Sequence, residues 1–194
     1  MRVLLAGASH ETLALVENLG HEISACVDPH MQGVWRGVPV FRKDAQAIAA
    51  GGFEGVVLAI DAPALRQEIQ NTYQNAGVPI IGLVGGTKNK NVRCGPGCVA
   101  QTDTVIGPGC RLGDGVRLNI GACLMAGVLA DDFSTFAPRA TVLENTQIGA
   151  RSYIGANAIL LPGTIVGADC MVGAGAVVSG HVPDGSTAKG HQVS

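Results

Sequence analysis

"LMAGVLADDFSTFAPRATVLENTQIG", residues 124–149, is the stretch that decides the fold. An apolar side chain returns at every sixth position: Leu124, Ala130, Phe136, Val142 and Ile148. A second set, all small or β-branched, stands four residues after each: Val128, Ser134, Ala140, Thr146 and Ser152. An α-helix repeats at about 3.6 residues and a strand at about 2, so neither gives a period of six as a single element. The period fits a β-solenoid in which each hexad forms one flat side of a triangular coil. The larger aliphatic then fills the axis of the prism, and the small residue sits near a corner.

Followed outward, the frame runs from Cys94 to Val178 for the larger set and from Cys98 to Val182 for the smaller one, fifteen hexads with no insertion. At three hexads per coil, residues 94–183 should make five coils, with rungs about 4.8 Å apart and a prism roughly 25 Å tall. Glycines such as Gly107, Gly113, Gly149 and Gly167 are expected to permit the corners. Three of the six cysteines, Cys98, Cys110 and Cys170, fall at the small inward position, where they act as packing residues. The pair in "CGPGC", Cys94 and Cys98, has no histidine or further cysteine pair at zinc-finger spacing, so no metal is expected.

Residues 1–84 follow a different period. "RVLLA", "HEISACVD", "GVVLAI" and "VPIIGLV" read as strands, and "ETLALVENLG", "FRKDAQAIAAGG" and "DAPALRQEIQNTYQNAG" as helices. Asp61 is a plausible N-cap of the last helix, with Ala62-Pro63 opening it. Alternating β and α units imply right-handed crossovers and a parallel sheet. The expected organisation is a small Rossmann-like α/β domain over 1–84, a linker over 85–93, the β-helix over 94–183 and a tail over 184–194.

Composition agrees. Charged residues make up 14% and aromatics 4%, while 28 glycines are present, which favours a core of small aliphatics. A net charge of −2 without a basic run leaves no electrostatic footprint for nucleic acid. The apolar start "MRVLLAGASHETLAL" is too short to span a bilayer and lacks a signal-peptide pattern, so a cytoplasmic protein is expected.

The hexads, the closing "VGAGAVVSGHVPDGS" and the N-terminal "GASH", "VD" and "VVLAIDAPALRQ" together resemble one family. It is the sialic acid O-acetyltransferase and bacterial nucleotide-sugar N-acetyltransferase family of hexapeptide-repeat acyltransferases, and the resemblance covers nearly the whole chain. It implies a left-handed parallel β-helix, a homotrimer, acetyl-CoA as co-substrate in a groove between neighbouring prisms, and a nucleotide-sugar-like acceptor held by the N-terminal domain. Gly7, Ala8, Ser9 and His10 match the family's glycine-rich turn, whose N–H groups suit a phosphate. Asp28, at the end of the second strand, matches an acid that holds a ribose or base. Gly155, Ala156, Gly173 and Ala174 match positions lining the CoA groove. Tight turns and corners would demand such residues without any ligand.

The departures from the family lie in the opening stretch. The family's catalytic histidine and following acid are Ala126 and Gly127 here, a second histidine is Thr135, and a glycine of the acyl groove is Glu144. The central proton acceptor is therefore missing, and no catalytic residue is assigned. Eighteen residues make one coil, so Glu144 should stack on Ala126, with Pro108 and Pro162 in the same column. Its carboxylate either serves as a substitute base or obstructs the thioester. Two readings stay open: a transferase with a degenerate base site, and an inactive trimeric nucleotide-binding scaffold.

Overall fold

The computed structural model describes residues 1–192, the last two by backbone only. It divides between residues 83 and 84 into two compact units. None of its helices is long and apolar enough to cross a membrane.

In the N-terminal unit, β1 (Arg2–Ala6), β2 (Glu22–Val27) and β5 (Gly55–Leu58) are parallel, with β1 central. The helices are α1 (His10–Asn18), α2 (Asp44–Ala50) and α3 (Pro63–Asn75). β4 (Val38–Phe41) extends the sheet parallel to β2, and β3 (Val34–Trp35) closes its edge antiparallel to β4. That hairpin is absent from the sequence expectation. Arg36 and Gly37 turn it with φ of 53° and 86°, a type I′-like turn matched to strand twist. The strand order β3-β4-β2-β1-β5 puts α1 on one side of the sheet and α2 and α3 on the other, because the right-handed crossovers β1–α1–β2 and β4–α2–β5 run in opposite directions across the sheet. Leu4, Ala6, Val27, Val56 and Leu58 pack with Ala47 of α2 and Tyr73 of α3.

Two expectations need correction. Asp61 is not the N-cap of α3; Ala62 is, without a side-chain cap, and Pro63 is the first helical residue. Proline at N1 removes one of the orphan amide donors of the first turn and presets its φ for the helix. "VPIIGLV" is not a strand of this sheet, since only an isolated bridge joins Ile80 to Val56.

The rest is a solenoid of twenty two-residue strands in three parallel sheets. With the fold class anticipated above borne out, it is a left-handed parallel β-helix. The first face carries Val105–Ile106, Cys123–Leu124, Thr141–Val142, Ile159–Leu160 and Val177–Val178. The second carries Arg111–Leu112, Leu129–Ala130, Gln147–Ile148 and Ile165–Val166, and the third Arg117–Leu118, Thr135–Phe136, Tyr153–Ile154 and Met171–Val172. The second residue of each of these pairs is buried; Ile106, Leu124, Phe136, Val142 and Ile154 are all 0% exposed.

Pairing reaches past the expected limits. The supposed linker contains Thr87–Lys88 and Arg93–Cys94, each paired to the next coil, and the tail contributes Thr187–Ala188 and His191–Gln192. Residues 193 and 194 lie outside the described residues. The prism thus has more than five coils, with seven strands on two faces and six on the third. Toward the C-terminus the spacing shortens, Ile165 pairing with His181 and Val177 with His191 rather than eighteen residues on; Thr87–Lys88 keeps the eighteen-residue spacing but puts a charged residue at the sixth position.

The second, small set has a hydrogen-bonding reason as well as a steric one. Cys110 Sγ donates to the Met125 carbonyl at 3.0 Å, and Ser152 Oγ to that of Gly167 at 2.6 Å. A buried carbonyl left over at the next corner thus finds a donor. The glycines also act differently from the expectation. A Cβ on Gly149 would lie 2.5 Å from the Ala168 nitrogen, so glycine is required there by close approach. Left-handed φ falls two residues later, where Arg151 has 57°.

Candidate functional site

The N-terminal unit holds a cavity of about 590 Å³ at the carboxyl ends of β1 and β2. Gly7 and Asp28 line it, beside Ile60, the start of α2 and the outer face of α3. This is where an open α/β sheet places a ligand. Gly7 has φ 105°, and a Cβ there would lie 2.8 Å from the Ala59 carbonyl oxygen, so packing alone demands glycine. The Asp28 carboxylate accepts the His30 amide N–H at 2.8 Å, which folds the loop back over the strand end.

Ala8, Ser9 and His10 are not among the lining residues. They lead into α1, on the opposite side of the sheet. Ser9 caps α1, its hydroxyl accepting the Thr12 amide at 3.1 Å. The His10 ring meets Trp35 edge-on, with centroids 5.1 Å apart. The cavity instead draws on residues that the sequence did not single out: His30, Arg42, Lys43, Glu68 and Thr72. Arg42 donates to the Pro29 carbonyl at 3.2 Å and ties β4 to the Asp28 loop. The adjacent basic pair after a short apolar run was the available signal. Asp44 also lines the cavity, and its carboxylate accepts the buried Tyr73 hydroxyl at 2.6 Å. Burial first, and then Asp44, pushes the Tyr73 phenol well above its ordinary range. Beneath them, burial and the nearby Asp28 push the Cys26 thiol up to about 12.

In the solenoid, the edge that follows the first face bears Pro108, Ala126, Glu144 and Pro162 in one column. Gly127 N–H donates to Pro108, Asn145 N–H to Ala126 at 3.0 Å, and Gly163 N–H to Glu144 at 2.9 Å. Ala126 and Glu144 are half-buried. Their own amide N–H groups take no partner among the described residues, so this edge offers free donors. Thr135, in contrast, is 0% exposed on the third face.

Gly155, Ala156, Gly173 and Ala174 stack on the edge that follows the third face. Gly155 N–H donates to the Val172 carbonyl and Gly173 N–H to Ala188, each at 2.8 Å, while the amides of Ala156 and Ala174 take no partner among the described residues. The two edges are distinct within one chain. Both border the first face, whose outer column is Val105, Cys123, Thr141, Ile159 and Val177, with no charged residue. A third groove, of about 340 Å³ on the second face, is lined by Leu129, Gln147 and Ile165 with Asp131 and Asp184 at its rim; the sequence did not point to it.

All six cysteines are free thiols. Hydrogen bonding from Cys98 draws Cys94 down to about 7 against the opposing effect of burial, and Lys88 assists.

Residues 145–180 match the family model of the bacterial transferase hexapeptide, six repeats. Over 98% of this chain and 94% of its own, a histidine-to-alanine variant of GDP-perosamine N-acetyltransferase from Caulobacter crescentus, solved with CoA and GDP-perosamine, superposes with TM-score 0.91 at 26% identity. The chain carries bacterial-transferase hexapeptide repeats on a left-handed β-helix. The acetyltransferase domain of PglB from Neisseria gonorrhoeae, solved with acetyl coenzyme A, also resembles this hexapeptide-repeat protein, with TM-score 0.91 and 28% identity over 97% of this chain and 96% of that one. WeeI from Acinetobacter baumannii shares the fold at 22% identity and TM-score 0.66, over 96% of each chain. No curated protein matches the sequence.

Proposed function

We propose that this hexapeptide-repeat protein is an acetyl-CoA-dependent transferase acting on a nucleotide-linked sugar. The observation that carries the reading is whole-chain similarity to proteins solved with CoA, acetyl-CoA and GDP-perosamine. The cavity at the strand ends, with Asp28, His30, Arg42 and Lys43, suits the nucleotide, whose base and hydroxyls seek a carboxylate and whose phosphates seek cations.

The acyl site is assigned to the junction of two copies. The first and third edges flank one face whose outer column from Val105 to Val177 carries no charge, so a homotrimer closed around that face brings Ala126 and Glu144 of one copy beside Ala156 and Ala174 of the next. Burying Val105 and Ile159, each 37% exposed in the single chain, favours that assembly. The free amides on both edges suit the carbonyl groups of CoA and its thioester. The acceptor's amine or hydroxyl attacks the acetyl carbon, the carbon–sulfur bond breaks, and the proton released from the acceptor passes to the departing CoA thiolate.

Ala126 and Gly127 carry no group able to take that proton, and this favours a second reading, a nucleotide-binding trimer without turnover. Loss of a histidine does not itself forbid binding: the Caulobacter crescentus enzyme was solved with both ligands as an alanine and as an asparagine variant of one histidine. Calorimetric titration with acetyl-CoA, and separately with GDP-perosamine or a uridine-diphosphate sugar, separates the readings. Binding of both classes supports the transferase. Nucleotide binding alone supports the scaffold.

A further inference from the structure

The geometry points to Glu144 as the catalytic base, moved one coil along the edge from the position that Ala126 occupies. The inference rests on the transferase reading above. Three observations carry it. The first is register: Asn145 N–H donates to the Ala126 carbonyl and Gly163 N–H to that of Glu144, so 126 and 144 are successive members of one column, about 4.8 Å apart. The second is vacancy and supply. Position 126 presents only a methyl group and position 127 only hydrogen, while the next coil presents a carboxylate and a carboxamide at the matching positions. The Asn145 Oδ1 already lies over Gly127, 2.6 Å from where a Cβ would be. The gap at Gly127 is thus faced by the Asn145 side chain from the next coil, and the same register sets Glu144 one rung from Ala126. The third is the state of the carboxylate. Glu144 is half-buried, and no hydrogen bond or ion pair engages its side chain among the described residues. Its column neighbours Pro108 and Pro162 cannot take a proton.

In the step assigned to it, the acceptor's nucleophilic atom bonds to the acetyl carbon as Glu144 Oε takes the nucleophile's proton. The carbon–sulfur bond then breaks, and Glu144 returns the proton to the CoA sulfur, leaving acetylated acceptor and CoA thiol. Water in the acceptor's place gives acetate and CoA thiol by the same transfers, so the role can be tested without knowing the acceptor.

The test uses the full chain and acetyl-CoA, with and without GDP-perosamine, reading release of CoA thiol and, by calorimetry, the Kd for acetyl-CoA. Glu144→Gln should lower thiol release by about 10²–10⁴-fold while the Kd changes less than about twofold, and Glu144→Asp should retain part of the rate. Moving the base back, with Ala126→His and Glu144→Gly together, should recover release lost in Glu144→Gly alone. If acetyl-CoA binds but native release is absent, or is unchanged in Glu144→Gln, Glu144 is not the base and the binding reading survives. Failure of acetyl-CoA to bind at all overturns the transferase reading and this inference with it.

Discussion

The Ala126 carbonyl accepts the Asn145 amide at 3.0 Å, and this single bond seats Glu144 one rung along from Ala126 on the same edge of the prism. Side chains in that relation lie within disulfide reach. The double variant Ala126→Cys, Glu144→Cys should lose two hydrogens by intact mass on mild oxidation. The pair Ala126→Cys, Ala156→Cys, on two different edges, should not do so within one chain.

Gly155 and Gly173 look equivalent in the sequence, and the structure separates them. A Cβ on Gly155 would lie 2.5 Å from the Ala174 nitrogen, whereas on Gly173 it would meet nothing nearer than the Ala188 oxygen at 3.4 Å. Backbone cannot yield as a flexible side chain can. Gly155→Ala should cost about 1–3 kcal/mol, and Gly173→Ala less than about 0.5 kcal/mol. Urea unfolding midpoints of the two variants measure the difference.

That contrast shows where the sequence was legible. The six-residue period is set by burial, which each residue carries in its own side chain, so the inward columns from Cys94 to Val182 could be read directly. Coils with shortened spacing, such as the one linking Ile165 to His181, break the period while keeping the pairing, and they went unseen. The Gly7–Asp28 cavity was half legible. Strand ends reveal Gly7 and Asp28, but which side of the sheet a cavity opens on depends on crossover direction, and the cavity is lined by Arg42 and Lys43 rather than Ser9 and His10. The β3–β4 hairpin was missed because Arg36 does not announce a positive φ as glycine or asparagine does.

Tyr73 and Asp44 clamp α3 to α2 beside that cavity through a bond of 2.6 Å. Tyr73→Phe should destabilise the protein by about 1–2 kcal/mol, since a buried charge-assisted bond is lost. Thermal or urea unfolding of the N-terminal unit provides the check.

Cys94 should be the most readily alkylated thiol near neutral pH. Its acidity is drawn down to about 7 by hydrogen bonding from Cys98, with a smaller contribution from Lys88. The thiolate is the nucleophile, so iodoacetamide labelling at Cys94 should rise with pH through a midpoint near 7. Cys98→Ala removes the main stabilising donor and should shift the midpoint upward, slowing labelling at neutral pH. Cys26, held near 12 by burial, should stay unlabelled in the native protein.

The claim that the acyl site is shared between copies is tested most directly by acetyl-CoA binding to mixed assemblies. Ala126→Trp blocks the first edge and Ala174→Trp the third. Neither variant alone should bind acetyl-CoA, but co-expressed chains should form mixed trimers, each with a single intact junction, and calorimetry should recover one site per mixed trimer. Binding by either variant alone, or none after mixing while the native protein binds, would contradict a site built from two edges of neighbouring copies.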